Sequence, residues 1–75
     1  MPKLKRVSGE QAIRALERLG FVRVRQRGSH VVLKRQTAQG VQGCVVPLHR
    51  ELADGTLRGI LQQAQVSPDE FAQNL

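Results

Sequence analysis

Phe21-Val22-Arg23-Val24-Arg25-Gln26-Arg27-Gly28-Ser29-His30-Val31-Val32-Leu33-Lys34-Arg35 is the stretch on which the fold turns. From Phe21 the period changes to two, and Val22 and Val24 alternate with Arg23, Arg25 and Arg27. That period suits a half-buried strand with Val22 and Val24 inward and Arg23, Arg25 and Arg27 in a row toward solvent. Arg27-Gly28-Ser29 is a tight-turn sequence, and His30-Val31-Val32-Leu33-Lys34-Arg35 is strand-like and rich in β-branched residues. So short a connection predicts an antiparallel hairpin.

Upstream, Ser8-Gly9-Glu10-Gln11 has the form of a capping box. Ala12, Ile13, Leu16 and Leu19 follow at helical spacing, and Gly20 stands where a left-handed residue would end the helix. The expectation is a helix from about Gly9 to Leu19. Downstream, Thr37-Ala38-Gln39-Gly40 reads as a loop and Cys44-Val45-Val46-Pro47-Leu48 as a third strand, with Pro47 at an edge or at the strand's end because it lacks an amide donor. Either Asp54 or Thr56 can cap a second helix whose buried stripe is Leu57, Ile60, Leu61 and Ala64. Ser67-Pro68-Asp69-Glu70 opens a short terminal helix that brings Phe71 onto the core.

The predicted fold class is α+β, a single domain over residues 1–75. A three-stranded antiparallel sheet is covered on one face by two helices, with a short extra helix at the C-terminal end. The order α-β-β-β-α is also that of the double-stranded-RNA-binding domain. That analogy agrees with the charge but does not settle function. Such domains grip phosphates with a lysine cluster at the start of the last helix, whereas here that helix offers only Arg58.

Twelve Lys and Arg stand against six Asp and Glu in 75 residues, a net charge of +6 and a pI near 11.2. Residues 1–37 hold ten basic side chains and two acidic ones, and the remainder two basic and four acidic. A basic half of this kind suits a polyanion, although a merely solvated face is the plain alternative. One cysteine, Cys44, excludes an internal disulfide and makes a structural zinc site improbable, which points to the reducing cytoplasm. No apolar run signals export or a membrane span. The only aromatic residues are Phe21 and Phe71, so base stacking on an aromatic platform is excluded. RNA contacts must rest on Arg, Lys, His and backbone groups.

Two histidines offer proton transfer near neutral pH, His30 opening the second strand and His49 closing the third. A base that removes the ribose 2′-hydroxyl proton lets that oxygen attack the adjacent phosphorus, and a neighbouring guanidinium stabilises the charge that develops. Arg23, Arg25 or Arg27 from the paired strand could supply it. The plainer role for His30 is an exposed strand residue, and for His49 a hydrogen bond in the loop before the second helix. Ser29 beside His30 does not make a nucleophile and base, because strand neighbours point to opposite faces. The carboxylates are scattered, so no divalent cofactor is implied, and Gly-rich phosphate loops are absent.

Gly20-Phe21-Val22, Arg27-Gly28-Ser29-His30, Val46-Pro47-Leu48-His49 and Gly55-Thr56-Leu57-Arg58-Gly59-Ile60-Leu61-Gln62-Gln63-Ala64 resemble, in this order, the HicA toxin family over about Arg6 to Phe71. The resemblance implies a double-stranded-RNA-binding-like fold and the toxin of a type II toxin-antitoxin system, an endoribonuclease that cleaves mRNA independently of translation and, given the scattered carboxylates, without metal. It also implies a catalytic histidine at His30 and neutralisation by a HicB-type antitoxin protein. The candidate RNA contacts are Lys5, Arg6, Arg23, Arg25, Arg27, Gly28, Ser29 and Lys34. Gly59 and Gln65 depart from the family pattern. Gly59 costs the helix about 1 kcal/mol relative to Ala, and Gln65 costs about 1–2 kcal/mol if it must be left-handed. The alternatives are a non-catalytic RNA-binding module on the same basic face and a protein-interaction domain that docks an acidic partner.

Overall fold

The computed structural model describes residues 4–75; Lys3, part of the basic half, lies outside the described residues. The elements are α1 (Gly9–Arg18), β1 (Val22–Arg27), β2 (His30–Thr37), β3 (Gly40–Pro47), α2 (Asp54–Ala64) and α3 (Pro68–Gln73). The strands form one antiparallel sheet in the order β1-β2-β3. The α+β class and the element order are as the sequence predicts.

Helix α1 starts at the expected capping box: the Gln11 amide donates to Ser8 Oγ at 3.0 Å, and the Ser8 amide to Gln11 Oε1 at 2.9 Å. Reciprocal capping satisfies two of the otherwise orphaned donors of the first turn. Gly20, at a φ of 100°, turns the chain into β1. Ala12, Ile13, Ala15 and Leu16 of α1 are buried, as are Leu57, Ile60, Leu61 and Ala64 of α2. They meet Val31 and Leu33 of β2 and Cys44 and Val46 of β3 in one apolar cluster that also holds Phe21 and Phe71. Each fully buried large side chain contributes about 1.5–3 kcal/mol. Helices α1 and α2 lie against β3, and α3 lies against α2.

Three expectations need correction. Strand β1 is exposed along its whole length, with Val22 58% and Val24 48% exposed, so its valines are not turned into the core. A register shift between Arg23 and Arg25 breaks the alternation on which that expectation rested, and β1 is an edge strand beyond the helices' cover. Neither Asp54 nor Thr56 caps α2. Ala53 is the N-cap without a side-chain bond, and Asp54, inside the first turn, accepts from Arg58 Nε at 2.8 Å. Its carboxylate there suits the positive end of the helix dipole. Finally, β3 begins at Gly40, not near Cys44. Thr37 pairs with Gly40 around Ala38-Gln39, and Thr37 Oγ1 donates to the Gly40 carbonyl at 3.0 Å. Gly40-Val41-Gln42-Gly43 lacks an apolar alternation because the ladder, not burial, holds it in the sheet.

Gln65 is left-handed (φ 57°) at the end of α2, as the sequence had it if the helix ended there. Ser67 caps α3, accepting from the Glu70 amide at 3.1 Å, and Pro47 closes β3.

Candidate active site and nucleic-acid interface

Arg27 pairs with His30 around a two-residue turn, Gly28-Ser29. Gly28 takes a φ of 56°, a conformation that glycine adopts without strain. The Gln26 side-chain amide donates to the Gly28 carbonyl at 2.9 Å and braces the turn. His30 is thereby held at the first position of β2, exposed, with Arg27 on one side and Pro47 of β3 on the other.

Cross-strand partners share a face, and successive residues alternate. Val31, Leu33, Cys44 and Val46 face the helices. His30, Val32 and Lys34 therefore look outward, together with their partners Arg27, Arg25 and Val22 on β1. Arg23 pairs with the buried Leu33 and lies on the opposite side, where it makes ion pairs with Glu10 and, at 3.5 Å, Glu17 of α1. The hydrogen bond with Glu10, ahead of the field of the two carboxylates, raises the Arg23 pKa further above its usual value. Of the three arginines expected in one row, Arg25 and Arg27 join His30, and Arg23 clamps β1 to α1. Among the described residues the side chains of Arg25, Arg27 and Lys34 have no hydrogen-bond or ion-pair partner.

The other expected contacts lie elsewhere. The Ser29 carbonyl accepts from the Leu48 amide at 2.7 Å, which carries the β2–β3 pairing beyond Pro47. Gly9 donates to the His49 carbonyl at 2.8 Å, so the loop after β3 is tied to the start of α1. His49 is exposed, and it is its carbonyl, not its ring, that bonds in this loop. Lys5 and Arg6 sit on the segment before α1; Arg6 pairs with Glu51 at 2.9 Å. Sequence reading gave Gly9 no role beyond starting the helix. A Cβ there would stand 2.0 Å from the Pro47 carbonyl oxygen, so only glycine lets α1 approach the strand end beside His30. A glycine directly after a serine cap, in a weak helix position, was the available signal.

Among the described residues no group of three or more His, Cys, Asp or Glu is placed to hold a metal ion, and no helix is long and apolar enough to cross a membrane.

An exposed histidine at a strand start, flanked by unpaired arginines on the uncovered face of a small α+β sheet, defines a compact basic site on a helix-backed platform. The family described as HicA toxin of bacterial toxin-antitoxin matches residues 9–66 of the 75, a span from the Gly9 contact to just beyond α2, and the chain belongs to that family of toxins. Among curated proteins, none matches the chain.

Proposed function

We propose that this toxin is a cytoplasmic, metal-independent endoribonuclease that cleaves mRNA with His30 as its proton-transfer group and is neutralised by a HicB-type antitoxin. The carrying observation is the placement of His30 directly opposite Arg27, on the face that also presents Arg25 and Lys34. Directly opposed side chains on one face have Cβ atoms about 4.5–5.5 Å apart, within reach of one phosphodiester.

The imidazole of His30 takes the proton of a ribose 2′-hydroxyl. The 2′-oxygen forms a bond to the adjacent phosphorus, the bond from phosphorus to the 5′-oxygen breaks, and that oxygen takes a proton from the imidazolium or from water. The products are a 2′,3′-cyclic phosphate and a 5′-hydroxyl. Arg27 and Arg25 stabilise the charge on the phosphoryl oxygens. Positioned proton transfer contributes about 10²–10⁴-fold.

The antitoxin reading draws on the same face. Val22, Val41 and Val45 are exposed and, with Arg25, Arg27 and Lys34, form an apolar and cationic surface. A cover presenting apolar and acidic side chains complements it and blocks RNA.

The test compares wild type with His30→Ala on a long single-stranded RNA in EDTA, reading cleavage on a gel and binding by filter retention. Cleavage by the wild type alone, with RNA retained by both, supports the reading. Equal binding with no cleavage by either replaces it with a non-catalytic RNA-binding module.

A further inference from the structure

A groove of about 250 Å³ runs along the outer flank of α1, lined by Lys5, Arg6, Val7, Gln11, Arg14, Arg18 and Leu75. Gln11, Arg14 and Arg18 recur at i, i+3 and i+7, one stripe of the helix. Glu10 and Glu17 lie on the neighbouring flank, where Arg23 neutralises them. No Asp or Glu side chain lines the groove.

Its charged side chains are all cationic, and several are already positioned. Arg18 Nη1 donates to the Asn74 carbonyl at 2.7 Å, and Arg6 is steadied by Glu51. Gln11 Oε1 is taken up by the Ser8 amide, which leaves its NH₂ end as the available one. Lys5 and Arg14 have no partner among the described residues. The volume falls below the roughly 300–1,000 Å³ of pockets that enclose small molecules, and no aromatic side chain lines it. Such a groove suits a strand of linked phosphates passing through it, gripped without base readout.

The groove is also joined to the His30 end of the sheet. The Leu52 amide donates to the Val7 carbonyl at 2.7 Å, Gly9 is bonded to His49, and His30 pairs with Pro47. The start of α1 thus adjoins the end of β3 that pairs with His30, and a strand leaving the open face passes around that end to reach the groove. Exposed Arg50 belongs to the loop between them.

We propose that this groove is a second RNA subsite, which holds backbone phosphates of the strand on one side of the bond presented to His30. It rests on the ribonuclease reading for its substrate, but it makes a claim about binding that stands apart from cleavage. Lys5 and Arg14 contact phosphates directly, and Arg6, Gln11 and Arg18 complete the cradle.

The experiment measures binding of an uncleavable 2′-O-methyl RNA by fluorescence anisotropy across a salt series, with a 20-mer and a 4-mer, for wild type and Lys5→Ala/Arg14→Ala. Neither residue carries a structural bond, and unchanged circular dichroism and Tm verify the fold. The expected result is at least a tenfold loss of affinity for the 20-mer. The slope of log K against log salt should fall by about 1.4, about 0.7 per phosphate contact on a single strand, with little change for the 4-mer. Adding two charges on α2, Gln62→Lys with Gln63→Lys, must not restore the affinity. Equal binding by wild type and variant, an equal loss on both lengths, or rescue by the α2 lysines would overturn the proposal. So would a variant that keeps RNA affinity but resists neutralisation by antitoxin, since the groove would then serve the protein partner. A wild type that binds RNA but never cuts it defeats the ribonuclease reading and leaves the subsite standing.

Discussion

On the helix-covered face of the sheet the arginines are built into the fold. Arg23 bridges β1 to two glutamates of α1. Arg35 stands 4.6 Å from the centroid of the Phe21 ring, donates to the Leu19 carbonyl at the end of α1 at 2.9 Å, and donates to Gln42 Oε1 from Nη2 at 2.7 Å. On the open face Arg25, Arg27 and Lys34 are held by backbone pairing alone, beside His30 and exposed valines. Residues of one type, on adjacent strands, thus divide between structure and surface chemistry according to the side of the pleat on which they fall. A guanidinium with fixed protein partners has few donors left for a phosphate, whereas one without them keeps all five.

The division is broken most directly at His30. If the open face is the reactive one, His30→Ala lowers the cleavage rate on a long single-stranded RNA with free 2′-hydroxyls by about 10²–10⁴-fold and leaves Tm within a degree or two. Retained cleavage would move the chemistry off this face.

Gly9→Ala probes the support behind that site. Alanine ordinarily gains an exposed helix position about 1 kcal/mol over glycine. Here the added methyl meets the Pro47 carbonyl oxygen at 2.0 Å, and the overpacking cost of about 1–3 kcal/mol wins. Urea unfolding should show a lower midpoint, and a rise in stability would mean that α1 does not sit against the strand end.

A paired substitution sharpens the contrast. Arg35→Ala should cost about 1.5–3 kcal/mol of stability, the range for hydrogen bonds to a charged group, with RNA affinity little changed once the protein is folded. Arg25→Ala/Arg27→Ala should leave the unfolding midpoint in place and reduce the salt dependence of RNA binding by about 1.4 in slope. Reversed outcomes would dissolve the distinction between the faces.

The smallest effect separates the faces by thiol chemistry. Cys44, on the covered face opposite Leu33, is buried, and burial pushes its pKa up to about 11. It should resist iodoacetamide at pH 8, whereas Val45→Cys in a Cys44→Ala background, one residue away on the open face, should react readily. Between pH 9 and 11 the unfolded chain releases a thiol proton that the fold retains, so stability should fall as pH rises through that window.

Local signals carried much of this protein. The capping boxes at Ser8 and Ser67, the left-handed Gly20, the Gly28-Ser29 turn and the buried stripe of α2 each depend on residues within a few positions of one another. Their physics is complete in the sequence, which also placed His30 at a strand start beside basic residues. Four features needed the tertiary structure. The bulge that turns Arg23 toward α1 and leaves Arg25 and Arg27 with His30 depends on β1 pairing with β2. Exposure of Val22 depends on the register that pairs it with Lys34 on the open face, and that of Val24 on its place in the bulge. The need for glycine at position 9 arises from a contact with Pro47, far along the chain. The groove on α1 exists because the segment before the helix and the last residue happen to flank it. Alternation along a strand states which residues differ in facing, but only packing states which face is covered.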